Sequence, residues 1–347
     1  MSSRSALRTL SAWRGLATAA GTAGGSILEL PPRRTLLYVP GDSERKICKA
    51  ASLEVDVVCL DLEDAVAASR KVDARDTTVK ALADIRFGAS ERAVRINSVQ
   101  SGLAEEDLQA VLAGPSLPDA LVVPKIDTVE HVRWLFDRVK GIAGERLAAG
   151  DAPPPALISM CESGLGLLNL RQIFEAALEK SSLLRLQACI FGADDFCASL
   201  GLKRQPGTDD TLFARRWVAL HARAFGLQPI DQVFIDYKNT HCLALEALEG
   251  RSIGFAGKQV IHPSQIGSVQ EVFSPDPHDV EEARELVAAF ERHQEEGTGA
   301  FTFRDKMIDQ PTYLQARNLL RFAERLGLPG GQAGELPPSS GQRGGPT

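Results

Sequence analysis

Eight short apolar runs alternate with stretches of helical periodicity along most of the chain, and seven of them end in polar or charged residues. The first, Thr35–Val39, closes on Pro40-Gly41. Asp56–Leu60 leads into Asp61-Leu62-Glu63-Asp64, and Ala93–Ile96 holds Arg95 and ends at Asn97. Ala120–Val123 meets Pro124-Lys125, and Ala156–Met160 meets Cys161-Glu162. Cys189–Phe191 runs into Gly192-Ala193-Asp194-Asp195. Gln232–Ile235 precedes Asp236, and Gly257–Ile261 precedes His262-Pro263. Between them lie amphipathic helices. Residues 42–51 start at Asp42 or Ser43 as N-cap, Leu108, Val111 and Leu112 share one stripe, and Val132, Leu135, Phe136 and Val139 share another.

Runs such as Val57-Val58-Cys59-Leu60 are apolar throughout rather than alternating, as strands of a parallel sheet covered on both faces should be. Eight such strands with helices between them predict an α/β fold, a (β/α)8 TIM barrel over residues 33–265. An open doubly wound sheet is the competing architecture. It lacks support, because no glycine-rich turn follows the first strand and Ser163-Gly164-Leu165-Gly166 has no third glycine. A C-terminal helical and lid extension is expected over 266–327. Val280, Ala283, Val287 and Phe290 stripe a helix there, and glycines, aromatics and Asp309 over 297–311 read as a hinged lid or a plain loop.

Composition qualifies the two ends. Residues 1–28 carry Arg4, Arg8 and Arg14 with many Ser, Ala and Leu and no acid, the composition of a mitochondrial transit peptide. Residues 328–347 are dominated by Gly, Pro, Ser and Gln, as in a disordered tail. The net charge of −6 and the lack of basic runs with aromatics argue against nucleic acid as partner, and no apolar stretch is long enough for a membrane span. The six cysteines show no zinc spacing and read as reduced, buried small hydrophobes.

In a barrel the loops after the strands share one rim, where the chemistry sits. That rim would gather Asp61, Glu63, Asp64, Arg95, Lys125, Glu162, Asp194, Asp195, Asp236 and His262. Carboxylates without thiols or several imidazoles call for a hard divalent ion, most simply Mg2+. Taken singly, Asp61, Asp64 and Asp236 read equally as caps or ion-pair partners. Arg95 suits a substrate carboxylate, with an ion pair to Asp61 or Asp64 as the rival reading. His262 reads first as a core histidine.

Leu37-Tyr38-Val39-Pro40-Gly41, Asp61-Leu62-Glu63-Asp64-Ala65-Val66, Arg95-Ile96-Asn97, Pro124-Lys125, Glu162, Phe191-Gly192-Ala193-Asp194-Asp195-Phe196, Gly257-Lys258-Gln259-Val260-Ile261-His262-Pro263 and Met307-Ile308-Asp309 together resemble the citrate lyase β-subunit-like/malyl-CoA lyase family. The resemblance covers about residues 33–325. It implies a Mg2+-dependent barrel that cleaves or forms a C–C bond beside a CoA thioester, with (3S)-citramalyl-CoA as the expected substrate. It makes Glu162 and Asp195 the metal ligands and leaves Asp194 outside the ligand set. Arg95 falls beside the keto acid and thioester oxygen, and Asp309 matches the catalytic acid/base. Tyr38, Arg45, Lys49, Ile261 and His262 fall at the CoA and substrate positions, Arg45 standing where a lysine is expected. It implies a homotrimer in which a neighbouring copy supplies Asp309. A malate or β-methylmalate synthase, a thioesterase, an aldolase acting without CoA and an inactive scaffold barrel stay open as alternatives.

Overall fold

The computed structural model describes residues 29–150, 152–295, 301–304 and 306–328. The expected transit segment, all of the expected tail except Leu328, and residues 297–300 and 305 of the expected lid lie outside them. The chain divides into two compact units between Phe273 and Ser274.

In the first unit eight strands close a parallel barrel: β1 (Thr35–Pro40), β2 (Val57–Asp61), β3 (Glu91–Arg95), β4 (Ala120–Val123), β5 (Ala156–Cys161), β6 (Arg185–Phe191), β7 (Gln228–Asp231) and β8 (Gly257–Val260), with β8 returning to β1. The helices lie between and after the strands: α1 (Glu44–Ala51), α2 (Lys71–Asp84), α3 (Ala104–Ala113), α4 (Val129–Ala149), α5 (Gly164–Leu178), α6 (Ala193–Ser199), α7 (Leu212–Ala224), α8 (Thr240–Ser252) and α9 (Ile266–Phe273). The fold is therefore the expected (β/α)8 barrel.

One strand is misplaced by the sequence pattern. Gln232–Ile235 is not β7; the strand is Gln228–Asp231, and Ile235 and Asp236 lie exposed in the loop beyond it. Pro229 and two polar residues hide the strand. Pro229 brings no N–H to the ladder, and its carbonyl accepts from the Ala256 N–H in the connection to β8.

Successive strand residues point alternately inward and outward. The inner set, including Leu36, Val57, Cys59, Val122, Ile158, Met160 and Ile190, fills the barrel. The outer set packs under the helices around Leu37, Val58, Leu121, Phe136 and Phe174. Polar residues close the N-terminal end of the barrel. Arg33 is fully buried and donates to Glu91 through Nε and Nη2 (both 2.6 Å), to Gln187 (2.7 Å) and to Gln228 (2.7 Å). The backbone passes so close that a Cβ on Gly257 would lie 1.9 Å from the Arg33 carbonyl oxygen, so only glycine fits.

The second unit holds α10 (Pro277–Glu295), a hairpin of β9 (Phe301–Phe303) and β10 (Lys306–Ile308), and α11 (Gln310–Arg325). The predicted stripe of Val280, Ala283, Val287 and Phe290 is buried against Ile308, Tyr313 and Leu320, and the Phe290 and Tyr313 rings stack at 4.4 Å. All six cysteines are free, but Cys48 and Cys242 are exposed rather than buried, because they sit on the solvent faces of α1 and α8.

Candidate active site

Glu162 follows β5 at the C-terminal rim and is buried. Its Oε2 accepts the Lys125 backbone N–H at 2.9 Å. A Cβ on Gly192, the residue after β6, would lie 2.5 Å from Glu162 Oε1, so the glycine makes room for the carboxylate. Burial, reinforced by repulsion from Glu63 and Asp195, pushes the Glu162 carboxyl up to about 8. Asp195, in the first turn of α6, is half-exposed and stands 3.6 Å from Lys125 Nζ. The same ammonium donates to Glu63 Oε1 at 3.1 Å. Burial alone would lower Lys125; the neighbouring carboxylates outweigh it and keep the ammonium charged. Glu63 Oε2 is 3.1 Å from Arg95 Nη1 but lacks hydrogen-bond alignment and is orphaned in the interior.

Arg95 closes β3. Its fork holds Asp61 bidentately, Nε to Oδ1 at 2.7 Å and Nη2 to Oδ2 at 2.6 Å, so the rival ion-pair reading is the one that forms. Asp61 also accepts the Glu63 and Ala65 N–H groups and so anchors the β2 loop. Only the Nη1 edge of Arg95 faces the remaining acids, Glu63 and Asp64. The guanidinium lies over the Tyr38 ring at 4.5 Å, and Tyr38 OH donates to Gln259, which itself donates to the Phe191 and Asp231 carbonyls.

Beside this cluster opens a cavity of about 490 Å³. Tyr38, Arg45, Lys49, Ile261 and His262 all line it. Arg45 and Lys49 are exposed, one turn apart on α1. His262 is not a core histidine: it is exposed, Nδ1 accepts from Ser264 N–H, and its ring stacks on Tyr237 at 4.5 Å. His262 caps the short helical turn Pro263–Gln265 that follows β8.

Two expected rim residues, Asp236 and Asp194, and the expected lid residue Asp309 stand in local contacts of their own. Asp236 lies in a loop turn, where its carbonyl accepts the Asn239 N–H. Asp194 is exposed and pairs with Arg204 at 2.9 Å. Asp309 belongs to the second unit, where it N-caps α11 by accepting from the Thr312 N–H (3.1 Å) and hydroxyl (2.8 Å). Those bonds hold its exposed carboxyl below the usual carboxylate range.

Sequence reasoning passed over two positioning residues. Lys71 donates to the Leu62 and Glu63 carbonyls (both 2.6 Å) and to Asn97 Oδ1 (2.8 Å), which fixes the loop carrying Glu63. Gln259 fixes Tyr38. A polar glutamine in a buried strand was a readable signal; Lys71 on its helix was not.

Among the described residues no group of three or more His, Cys, Asp or Glu gathers as a metal cage. Mg2+ asks for less, since it keeps several waters and takes one or two carboxylates. Glu162 and Asp195 provide that number. A buried carboxylate with a raised pKa is the kind of donor that a cation restores to its charged form.

Residues 34–263 match the family described as HpcH/HpaI aldolase/citrate lyase. The chain is 46% identical over 298 residues to the mitochondrial citramalyl-CoA lyase of Homo sapiens, covering 85% of this chain and 86% of that one. It is 32% identical over 295 residues to a (3S)-malyl-CoA thioesterase of Cereibacter sphaeroides, covering 85% and 96%. Among solved structures it is similar to the CitE protein of Mycobacterium tuberculosis in complex with magnesium, acetoacetate and coenzyme A. That match has a TM-score of 0.65 and 27% identity over 86% of this chain and 99% of that one.

Proposed function

The chain belongs to the HpcH/HpaI aldolase/citrate lyase family, and from that membership we propose that it is a Mg2+-dependent citramalyl-CoA lyase. It cleaves (3S)-citramalyl-CoA to acetyl-CoA and pyruvate. The observation that carries the reading is the cluster of Glu162, Asp195, Lys125 and Arg95, joined through Tyr38 beneath the Arg95 guanidinium to a cavity rimmed by Arg45 and Lys49.

In this reading Glu162 and Asp195 hold the ion. A magnesium ion held by these two carboxylates would supply Lewis acidity at the substrate's oxygens. Arg45 and Lys49 attract the CoA phosphates, while Tyr38, Ile261 and His262 wall the thioester arm. Asp61 orients Arg95 so that its remaining N–H edge meets the thioester oxygen. The substrate hydroxyl gives up its proton to water and becomes the carbonyl of pyruvate as the C–C bond breaks; the bonding electron pair passes to the acetyl fragment, and negative charge grows on the thioester oxygen. Asp309 then delivers a proton to the terminal carbon. An exposed, capped aspartate is a poor acid at neutral pH, so the role requires that Asp309 be desolvated against a loaded barrel.

We also place the protein in the mitochondrial matrix, with residues 1–28 as transit peptide, and as a homotrimer in which Asp309 serves a neighbouring copy. The mitochondrial naming of the human relative supports the first point. Light scattering should give three copies. Mixing Asp309→Ala with Glu162→Gln protein should restore part of the activity if Asp309 acts between copies. The thioesterase relatives favour one second reading, hydrolysis of the acyl-CoA. Incubation of purified protein with citramalyl-CoA and Mg2+ separates the two: pyruvate supports the lyase, and free CoA with citramalate supports hydrolysis. Activity unaffected by EDTA or by Asp309→Ala would overturn the mechanism.

A further inference from the structure

Among the described residues of the barrel unit, Lys125 is the only non-glycine with left-handed backbone, at φ 52. An L-residue adopts that conformation only when its surroundings enforce it, and such strain collects at functional sites. The turn does two things here. It aims the Lys125 N–H at Glu162 Oε2, and it sends the side chain between Glu63 Oε1 at 3.1 Å and Asp195 Oδ1 at 3.6 Å. The two contacts differ. Glu63 is buried and lies within hydrogen-bond distance, whereas Asp195 is half-exposed and the contact is long. The ammonium has three donors on a flexible stem, so it can keep Glu63 and release Asp195.

We propose that Lys125 is a substrate-binding residue that exchanges partners: its ammonium pairs with Asp195 in the free protein and with the carboxylate of a 2-hydroxy or 2-oxo acid in the loaded one. The proposal rests on the lyase reading above. Arg95 does not compete for this role, because two of its three nitrogens are committed to Asp61. A cation that takes up Asp195 frees the ammonium for the acid, and an acid that holds the ammonium frees Asp195 for the cation. Metal and acid therefore bind cooperatively, each strengthening the other by the same factor.

Calorimetric titration of the full chain tests this, with Mg2+ alone, with pyruvate alone and with each in the presence of the other. Wild-type protein should show the mutual strengthening. Lys125→Met removes the ammonium at similar length. It should bind Mg2+ alone about tenfold more tightly, since a competing positive charge is gone. It should bind pyruvate on the Mg2+-loaded protein about 10- to 100-fold more weakly. Lys125→Gly relieves the backbone strain while keeping the N–H, so it separates loss of the ammonium from any effect of the turn; with a native circular dichroism spectrum it should show the same pair of changes. Wild-type cooperativity retained in both variants would overturn the role of Lys125 and leave the lyase reading standing. Wild-type protein that binds neither Mg2+ nor pyruvate would overturn the lyase reading and this role with it.

Discussion

Replacing Glu162 by glutamine tests how the site stores its tension. In the metal-free protein the Glu162 carboxyl is pushed from 4.5 to about 8, first by burial and then by Glu63 and Asp195. The folded-state value lies above the unfolded one, so the fold favours the protonated acid. Stability from this group is fully present below about 4.5 and is lost as pH rises toward 8. At ~1.4 kcal/mol per pH unit, the full loss is on the order of 5 kcal/mol, of which about 3 kcal/mol develops between pH 5.5 and 8.5. The amide introduced by Glu162→Gln does not titrate and keeps an acceptor for the Lys125 N–H. Thermal unfolding in EDTA should therefore show the variant more stable than wild type, with a Tm gap widening by several degrees from pH 5.5 to 8.5. Mg2+ should narrow the gap by stabilising wild type alone. A gap that does not change with pH would refute the claim that Glu162 is held as a desolvated, cation-seeking carboxylate.

Three further substitutions separate the parts of the account. Gly192→Ala places a methyl group 2.5 Å from Glu162 Oε1; the displaced carboxylate should weaken Mg2+ binding about tenfold or more by calorimetry, with a native circular dichroism spectrum. Arg33→Met strands Glu91, Gln187 and Gln228 at the closed end of the barrel; urea unfolding should show a loss of about 3–5 kcal/mol, with kcat unchanged in the folded fraction. Asp309→Asn keeps a capping side chain for α11 but no proton donor; kcat should fall at least ~100-fold without loss of Tm, whereas Asp309→Ala should also lower Tm.

Much of the barrel is legible because burial on both faces turns parallel strands into continuous apolar runs, as Val57 to Leu60 and Leu121 to Val123 show. β7 escapes that logic: Gln228 and Asp231 are buried but satisfied by hydrogen bonds that no local pattern announces. The rim was legible to the same extent. Strand ends put Glu162, Lys125 and Asp195 in reach of one another, but the partner of Arg95 could not be chosen, because Asp61 and Asp64 are equally near in sequence. The strained turn at Lys125 has no sequence signal, since nothing in Pro124-Lys125 demands positive φ. His262 was misplaced in the core for a related reason: its exposure depends on how the chain leaves β8. The cap at Asp309 has a local signature, an aspartate just before a proline-containing first turn; its chemistry does not.

In the proposed function this rim cleaves a C–C bond beside a CoA thioester. The direct measurement is product stoichiometry from (3S)-citramalyl-CoA with purified protein and Mg2+, quantified by chromatography. Pyruvate and acetyl-CoA should form in equal amounts, at a rate that EDTA abolishes. Release of free CoA without pyruvate, or cleavage that proceeds unchanged in EDTA, would contradict it.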